Sequence, residues 1–450
     1  MKNAFVILLL MGLVPIAMAD DIYVTVYNSN LGVVSETRKL SLEKGTHLLA
    51  FRDVPAQIDP NSVQFSVVGS APGQVSILEQ NFAFDLVNEG QMFSRYIDKA
   101  IELIDQDGRV YNGTLLAHSS KAVTLQEQSG RIKVVLLENI AELDFPSLPE
   151  GLITRPTLFW LYDSDRSGER DCQVAYQTSG MSWAAEYVGV LSESEAELSI
   201  SGWAAINNRS GKKYADAKLK LIAGDIHRAT APRIDRFMTK SMATPQAASA
   251  GFEEKSFFEY HLYTLPRNTT LADKEIKQIS LFEPAQASVE KIFRYKPEHN
   301  PTAIEVAIKF TNSKKAGLGL PLPAGRVRIF KADSDGSLVL LGEDRLKHTP
   351  TDEEVSLKIG SAFDLVGEHR LAAQRRISKQ VEERDFEIEL RNRKTEAVTI
   401  EVEKKLYGHW EITASTAPYT KKDASTILFS ILIAAGETES ISFTARFGAN

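Results

Sequence analysis

The sequence predicts an all-β protein: tandem β-sandwich (Ig-like) modules with a small SH3- or Sm-like barrel near the N-terminus. Three observations predict it. The first is strict alternation of apolar and polar residues. Phe386, Ile388 and Leu390 alternate with Glu387, Glu389 and Arg391; Val398, Ile400 and Val402 with Thr399, Glu401 and Glu403; Ile441, Phe443, Ala445 and Phe447 with Ser442, Thr444 and Arg446. Successive strand residues point to opposite faces, so each run is a strand with one wet and one buried face. The second is residues 426–433, a more continuously apolar run that reads as a strand buried on both sides. Four such strands in one short segment make half a sandwich or more. The third is the short, regular spacing of strands and Gly-containing turns in the N-terminal third.

Residues 1–19 read as an address. Lys2 precedes an apolar run from Ala4 to Val14, and Ala17-Met18-Ala19 is the small-x-small pattern a signal peptidase cuts after. The apolar core is too short to span a bilayer. The expectation is a cleaved secretory signal, a mature chain starting at Asp20, and a location in the periplasm or at the cell surface. No cysteine follows the cleavage point for lipid attachment, and no later stretch is apolar enough to be a transmembrane segment.

Residues 20–83 form the first predicted β domain. Ile22, Val24 and Val26 alternate with Tyr23, Thr25 and Tyr27; Asn28-Ser29-Asn30 and Glu43-Lys44-Gly45 supply turns. Residues 84–150 form the predicted barrel, with strands near 101–104, 111–116, 123–125 and 132–137 turned at Asp107-Gly108 and Ser129-Gly130. Residues 88–100 fit a helical turn as well, and Pro146 and Pro149 mark a boundary. Residues 151–384 are predicted as a β-sandwich domain. Within it, 230–255 is rich in Ala, Ser, Thr and Pro and reads as a long mobile insertion. Residues 304–310 alternate most cleanly, and 327–341 read as a hairpin turned at Asp333-Ser334-Asp335-Gly336. Residues 370–381 fit either a short helix or a solvated strand. Residues 385–450 close the chain as an Ig-like segment.

A chain of 450 residues, 43% hydrophobic and 25% charged, has the composition of a folded protein of about three domains. A net charge of -7 gives no electrostatic footprint for nucleic acid and argues against strong attraction to anionic membranes. The single cysteine, Cys172, has no partner for an internal disulfide, so burial must hold the fold together even in an oxidising compartment. Cys172 reads as a buried, inert thiol on a strand.

Several blocks of residues 172–447 resemble the bacterial domain-of-unknown-function family 4139. They are YQTSGMSWAAEY at 176–187, YHLYTLPRNTTL at 260–271 with ISLF at 279–282, PLPAGRVRIF at 321–330, LRNRK at 390–394, PYTKKD at 418–423 and Gly436-Glu437. The part before them resembles the regions that precede this domain in exported relatives. The resemblance implies an envelope location and β-sandwich modules; it supplies no activity, substrate or catalytic motif. Some relatives with this domain have been linked to mucoid surface polymer.

No familiar catalytic constellation emerges. The eight histidines include no pair at metal-binding spacing. Gly180-Met181-Ser182-Trp183-Ala184 lacks the second glycine of a nucleophile elbow, and Gly317 and Gly319 lie beside prolines rather than at a helix start. Asp163, Asp165 and Ser167 before Gly168 resemble the opening of a calcium loop. The twelfth position, however, is Val174, where a bidentate Glu is needed, and a polar turn is the favoured reading. Trp160, Trp183 and Trp203 read as core filling, whereas Trp410 with Tyr407 is the best candidate for an exposed aromatic ligand contact. No catalytic residue, cofactor or metal is assigned. The functional expectation is a non-catalytic, exported binding or structural scaffold of the envelope, with an envelope protein or polysaccharide as partner and the oligomeric state open. The alternative is a carbohydrate-binding module or carbohydrate-active hydrolase.

Overall fold

A computed structural model describes residues 21–69, 74–84, 89–147, 153–224, 252–257 and 260–448. The expected signal, 1–19, and the core of the expected insertion, 230–251, lie outside them. Its last residues, 253–255, belong to a strand. The protein is all-β, with one short α-helix and one 3-10 turn among the described residues. No helix there is long and apolar enough to cross a membrane. The described residues fall into two compact units. The first takes those up to Ser182 with Asn207–Lys220 and Arg267–Glu275; the second takes Trp183–Ile206, those within Leu221–Pro266, and Ile276 onward.

The first unit starts with β1 (Asp21–Tyr27), β2 (Gly32–Leu42), β3 (Gly45–Arg52), β4 (Ile58–Val67) and β5 (Val75–Ala83). After an inserted small sheet come β11 (Thr157–Ser164) and β12 (Gly168–Thr178). These last two were expected to open the third domain. Instead β12 lies between β2 and β4, and β11 between β3 and β5, so both sheets of the N-terminal sandwich are completed from beyond residue 150. Their inner faces meet at Trp160, whose ring stacks on Phe51 at 5.0 Å and takes the edge of Phe65 at 5.2 Å. The indole N–H is satisfied by Gln80 Oε1 at 2.7 Å. Leu42, Tyr162 and Cys172 pack beside them.

The inserted sheet comprises α1 (Glu89–Arg95), β6 (Ala100–Asp105), β7 (Val110–His118), β8 (Ala122–Gln126), β9 (Ile132–Leu136) and β10 (Ile140–Asp144). Its order is β10-β6-β7-β8-β9. Gly108 (φ 79°) and Gly130 (φ 83°) make the left-handed turns the sequence predicts. The sheet is not the closed barrel expected. Its edges, β9 and β10, are joined by the 3-10 turn Leu137–Asn139 and are not paired with each other. Phe93 of α1 and the following Tyr96 cover the core there, each meeting the edge of Phe145.

The remaining strands are β13 (Met181–Leu191), β14 (Glu197–Asn208), β15 (Tyr214–Ala223), β16 (Glu253–Phe257), β17 (Tyr260–Thr264), β18 (Thr269–Leu271), β19 (Glu275–Ser288), β20 (Glu290–Tyr295), β21 (Ala303–Thr311), β22 (Gly325–Ala332), β23 (Leu338–Leu346), β24 (Glu354–Arg376), β25 (Glu382–Asn392), β26 (Val398–Lys405), β27 (Trp410–Ser415), β28 (Tyr419–Asp423), β29 (Thr426–Ile433) and β30 (Thr438–Phe447). Within the first unit, β15 borders β1 and carries β18. The second unit holds a sheet ordered β19-β14-β13-β22-β23, in which β13 and β22 are parallel.

The second unit also holds a nine-stranded sheet ordered β27-β30-β25-β24-β21-β20-β26-β29-β28. The C-terminal strands are therefore not a segment apart: β25 pairs with β24, and β26 with β20. This sheet wraps a core in which Phe429 and Phe386 both pack on Phe443, with Tyr295, Ile388, Ile400 and Val402. Residues 370–376 are strand, the end of β24. β29 was expected to be buried on both sides; it is buried on one. Ile427, Phe429 and Ile433 face the core, while Leu432, on the other face, is 68% exposed.

One device occurs three times. In Ala204-x-Ile206-x-Asn208, Ile308-x-Phe310-x-Asn312 and Ile388-x-Leu390-x-Asn392, the asparagine takes the next inward position after two apolar ones, and all three are buried. Each Nδ2 donates to carbonyls of neighbouring loops: Asn208 to Lys212, Leu271 and Ala272; Asn312 to Leu320 and Pro350; Asn392 to Glu396, Ile433 and Ala434. Buried loop carbonyls need donors, and one buried amide satisfies several at the sandwich end.

Candidate functional site

Two places in the first unit concentrate polar chemistry. One is sealed. β2 alternates in register, so Val34, Glu36 and Arg38 all point inward. Glu36 accepts from Lys212 Nζ at 2.9 and 3.0 Å, from Tyr176 Oη at 2.9 Å and from Arg38 Nη2 at 2.8 Å. The Arg38 guanidinium also donates to the carbonyl of Arg52 at 2.6 Å and lies 4.0 Å from the centre of the Phe51 ring. Burial alone would raise the Glu36 carboxyl, but Lys212 and Arg38 outweigh it and hold it below the usual range. Burial, reinforced by the Glu36 carboxylate, pushes the Tyr176 phenol well above its ordinary value, so it stays a donor. At 1% and 4% side-chain exposure, Glu36 and Lys212 meet no solvent in which a substrate could approach. The cluster joins β2, β12 and the segment before β15; its role is structural.

The other is open. Over the small sheet lies a groove of about 760 Å³ lined by Glu102, Asn112, Thr114, Gln126, Gln128 and Asp144 among others. Glu127, on its wall, is paired with Lys133 at 2.6 Å, which holds its carboxyl below the usual range. Gly113 forms the floor: a Cβ there would stand 2.7 Å from the carbonyl oxygen of Gln126, so any side chain would part β7 from β8. The groove offers carboxylates and planar amides, a set that accepts and donates hydrogen bonds to hydroxyl-rich or basic ligands.

The residues singled out from the sequence are not brought together. Asp163 accepts from Thr46 Oγ1, Asp165 pairs with Arg170 at 3.0 Å, and Ser167 Oγ accepts from the Lys44 N–H. Each of the three side chains has its own protein partner. Trp410, expected to be exposed, is 8% exposed. Its ring closes the β27 end of the nine-stranded sheet's core, its indole donates to the carbonyl of Ala424 at 3.0 Å, and Lys421 covers it at 4.3 Å. Tyr407 is 70% exposed, so the two do not form one stacking surface. Trp160 and Trp183 are buried, and Trp203 is half-buried. Cys172 is fully buried, which pushes its thiol up to about 11. No group of three or more His, Cys, Asp or Glu is arranged to hold a metal among the described residues. The sequence reading missed Glu36, Arg38 and the three asparagines. The available signal was a polar residue at the inward parity of an alternating strand.

Comparison with known families bears on the same region. Residues 24–119 match the model of an N-terminal domain of unknown function, DUF4140. The match lies before the blocks, from Cys172 onward, on which the likeness to family 4139 rests. The DUF4140 segment runs from within β1 to just beyond β7, so it contains part of β1 and all of β2 to β5, α1, β6 and β7, but neither β11 nor β12. It therefore lacks the central strand of one sandwich sheet and an inner strand of the other. No curated protein matches the chain.

Proposed function

We propose that the chain is a non-catalytic, exported envelope scaffold that binds through its surface, with the DUF4140 segment as its N-terminal portion and residues 172–447 as a family 4139 domain. The single observation carrying this reading is the contrast within the first unit. Its buried ionisable cluster is closed to solvent, and the open groove over the small sheet is lined by amides and carboxylates that can hydrogen-bond a ligand. The signal-like residues 1–19 and the family blocks support an envelope location in the periplasm or at the cell surface. A polysaccharide as the bound partner is favoured by the amide and carboxylate lining of the groove, since planar polar groups hydrogen-bond vicinal hydroxyls.

The test is a binding survey of the purified mature chain against envelope polysaccharides and their oligosaccharides, run beside hydrolysis assays on the same polymers. Retention of one polymer, lost in Glu102→Gln/Asp144→Asn with the fold intact by circular dichroism, supports the reading. Release of new reducing ends by the wild type, abolished in that variant, sinks it in favour of a hydrolase.

A further inference from the structure

We infer that the chain forms a two-fold dimer in which Phe363 of each copy enters an apolar cleft beside Phe363 of the other. Both halves of that contact stand together in the second unit. The knob is made by a bulge in β24. Ser361 pairs with Glu305 and Val366 with Ala303, so four residues of β24, Ala362 to Leu365, stand opposite the single residue Ile304 of β21. Bulges bend a strand and re-aim its side chains. Regular alternation would place Phe363 and Leu365 on one face. Here Leu365 turns into the core at 1% exposure, whereas Phe363 is 97% exposed.

The hole adjoins the knob. It is a cleft of about 280 Å³ lined by Phe293, Ile308, Leu341 and Ile359 among others, with Phe363 and Asp364 also in its lining. An apolar cavity of roughly 150 Å³ takes up a benzene ring, so the cleft has room for one phenyl side chain. The chain's own Phe363 does not fill it, since that ring is almost wholly in solvent.

Charge identifies the occupant. Four charged residues line the cleft: Glu195, Lys291, Asp364 and Lys394. Glu195 is shared by Lys291 and Lys331. Lys394 has Glu396 at 3.7 Å and lies 5.3 Å from the centre of the Phe293 ring. Asp364 has no ion pair among the described residues. When Phe363 of a second copy enters, it carries the adjacent Asp364 to the cleft that holds Lys394, and the two-fold makes this acid–base contact twice. A second copy therefore supplies both the ring and the charge. Knob and hole on one chain make an isologous contact, which closes on itself and does not propagate.

The experiment uses the chain from Asp20 onward. Sedimentation velocity over a concentration series is expected to show a monomer–dimer equilibrium. Phe363→Ala removes the knob and should weaken the dimer about a hundredfold, because a buried aromatic anchor dominates an interface and symmetry counts it twice. Gly360→Leu fills the hole from within. Gly360 lines the cleft, and a Cβ there would meet nothing within 4 Å, so the fold has room for it. This variant should lose affinity to a similar extent with its circular dichroism unchanged. Asp364→Lys should weaken the dimer about tenfold, and adding Lys394→Asp should restore it. A chain that is monomeric at every concentration overturns the proposal and leaves the cleft to another occupant. So does a dimer that Phe363→Ala and Gly360→Leu leave intact, or a charge swap that fails to restore assembly.

Discussion

Two carboxylates, one in each unit, are each held between two cations and make a direct comparison. In the first, Glu36 lies between Arg38 and Lys212, with side chains 1%, 7% and 4% exposed. In the second, Glu195 joins Lys291 and Lys331, with side chains 29%, 31% and 26% exposed. The connectivity is the same; the solvent is not. Water screens and competes for the Glu195 contacts, so little stability rides on them. In the Glu36 cluster no water replaces a lost partner, so removing the one carboxylate leaves two cations unanswered in a low-dielectric interior. The pair shows that burial, rather than the count of ion pairs, sets what such a cluster does for a fold.

The largest break in this comparison is Glu36→Gln. It leaves two cations facing each other in the core and should cost about 3–5 kcal/mol in denaturant unfolding of the first unit. Next is Asn392→Ala, a neutral counterpart in the second unit. It removes the amide that three carbonyls share, that of Ile433 buried, and should cost about 2–3 kcal/mol. Lys212→Met sharpens the point, because Arg38 still neutralises Glu36; its cost should be clearly below that of Glu36→Gln. Equal costs for those two would mean that the cluster's charge balance is irrelevant. Glu195→Gln should cost less than about 1 kcal/mol.

Acid titration gives the same ranking. Both carboxyls are held below their unfolded value of 4.5, Glu195 at about 2. A depressed carboxyl contributes stability that is fully present above its unfolded value and is lost as the pH falls towards its folded value. Unfolding free energy followed from pH 5 downward should therefore fall in the wild type, with a shallower slope in Glu36→Gln and a smaller change in Glu195→Gln, confined to the window between 4.5 and about 2. The smallest effect is at Cys172: a thiol reagent should leave the native chain unmodified and react after denaturation, a difference read by mass spectrometry.

The residue period carried the strands. Ile304 to Phe310, Phe386 to Leu390 and Ile441 to Phe447 are strands because side chains two apart share a face, and that rule needs only the sequence. The turn glycines at 108, 130 and 336 were legible for the same local reason: their positive φ is a property of the residue itself. The period also showed which face was inward, and so contained the signal for Glu36, Arg38 and the three asparagines. It could not say that Lys212 or the loop carbonyls would arrive to meet them.

Alternation, turns and the absence of any local motif for chemistry were thus determined by the amino-acid order alone. The partners of each strand were not. That β11 and β12 complete the N-terminal sandwich, that β24 pairs with β25 across the expected boundary, and that Trp410 turns inward while Tyr407 stays in solvent were decided only by tertiary structure. A strand's hydrogen bonds are satisfied by any neighbour of compatible register, and the choice among distant neighbours is made by which faces bury together.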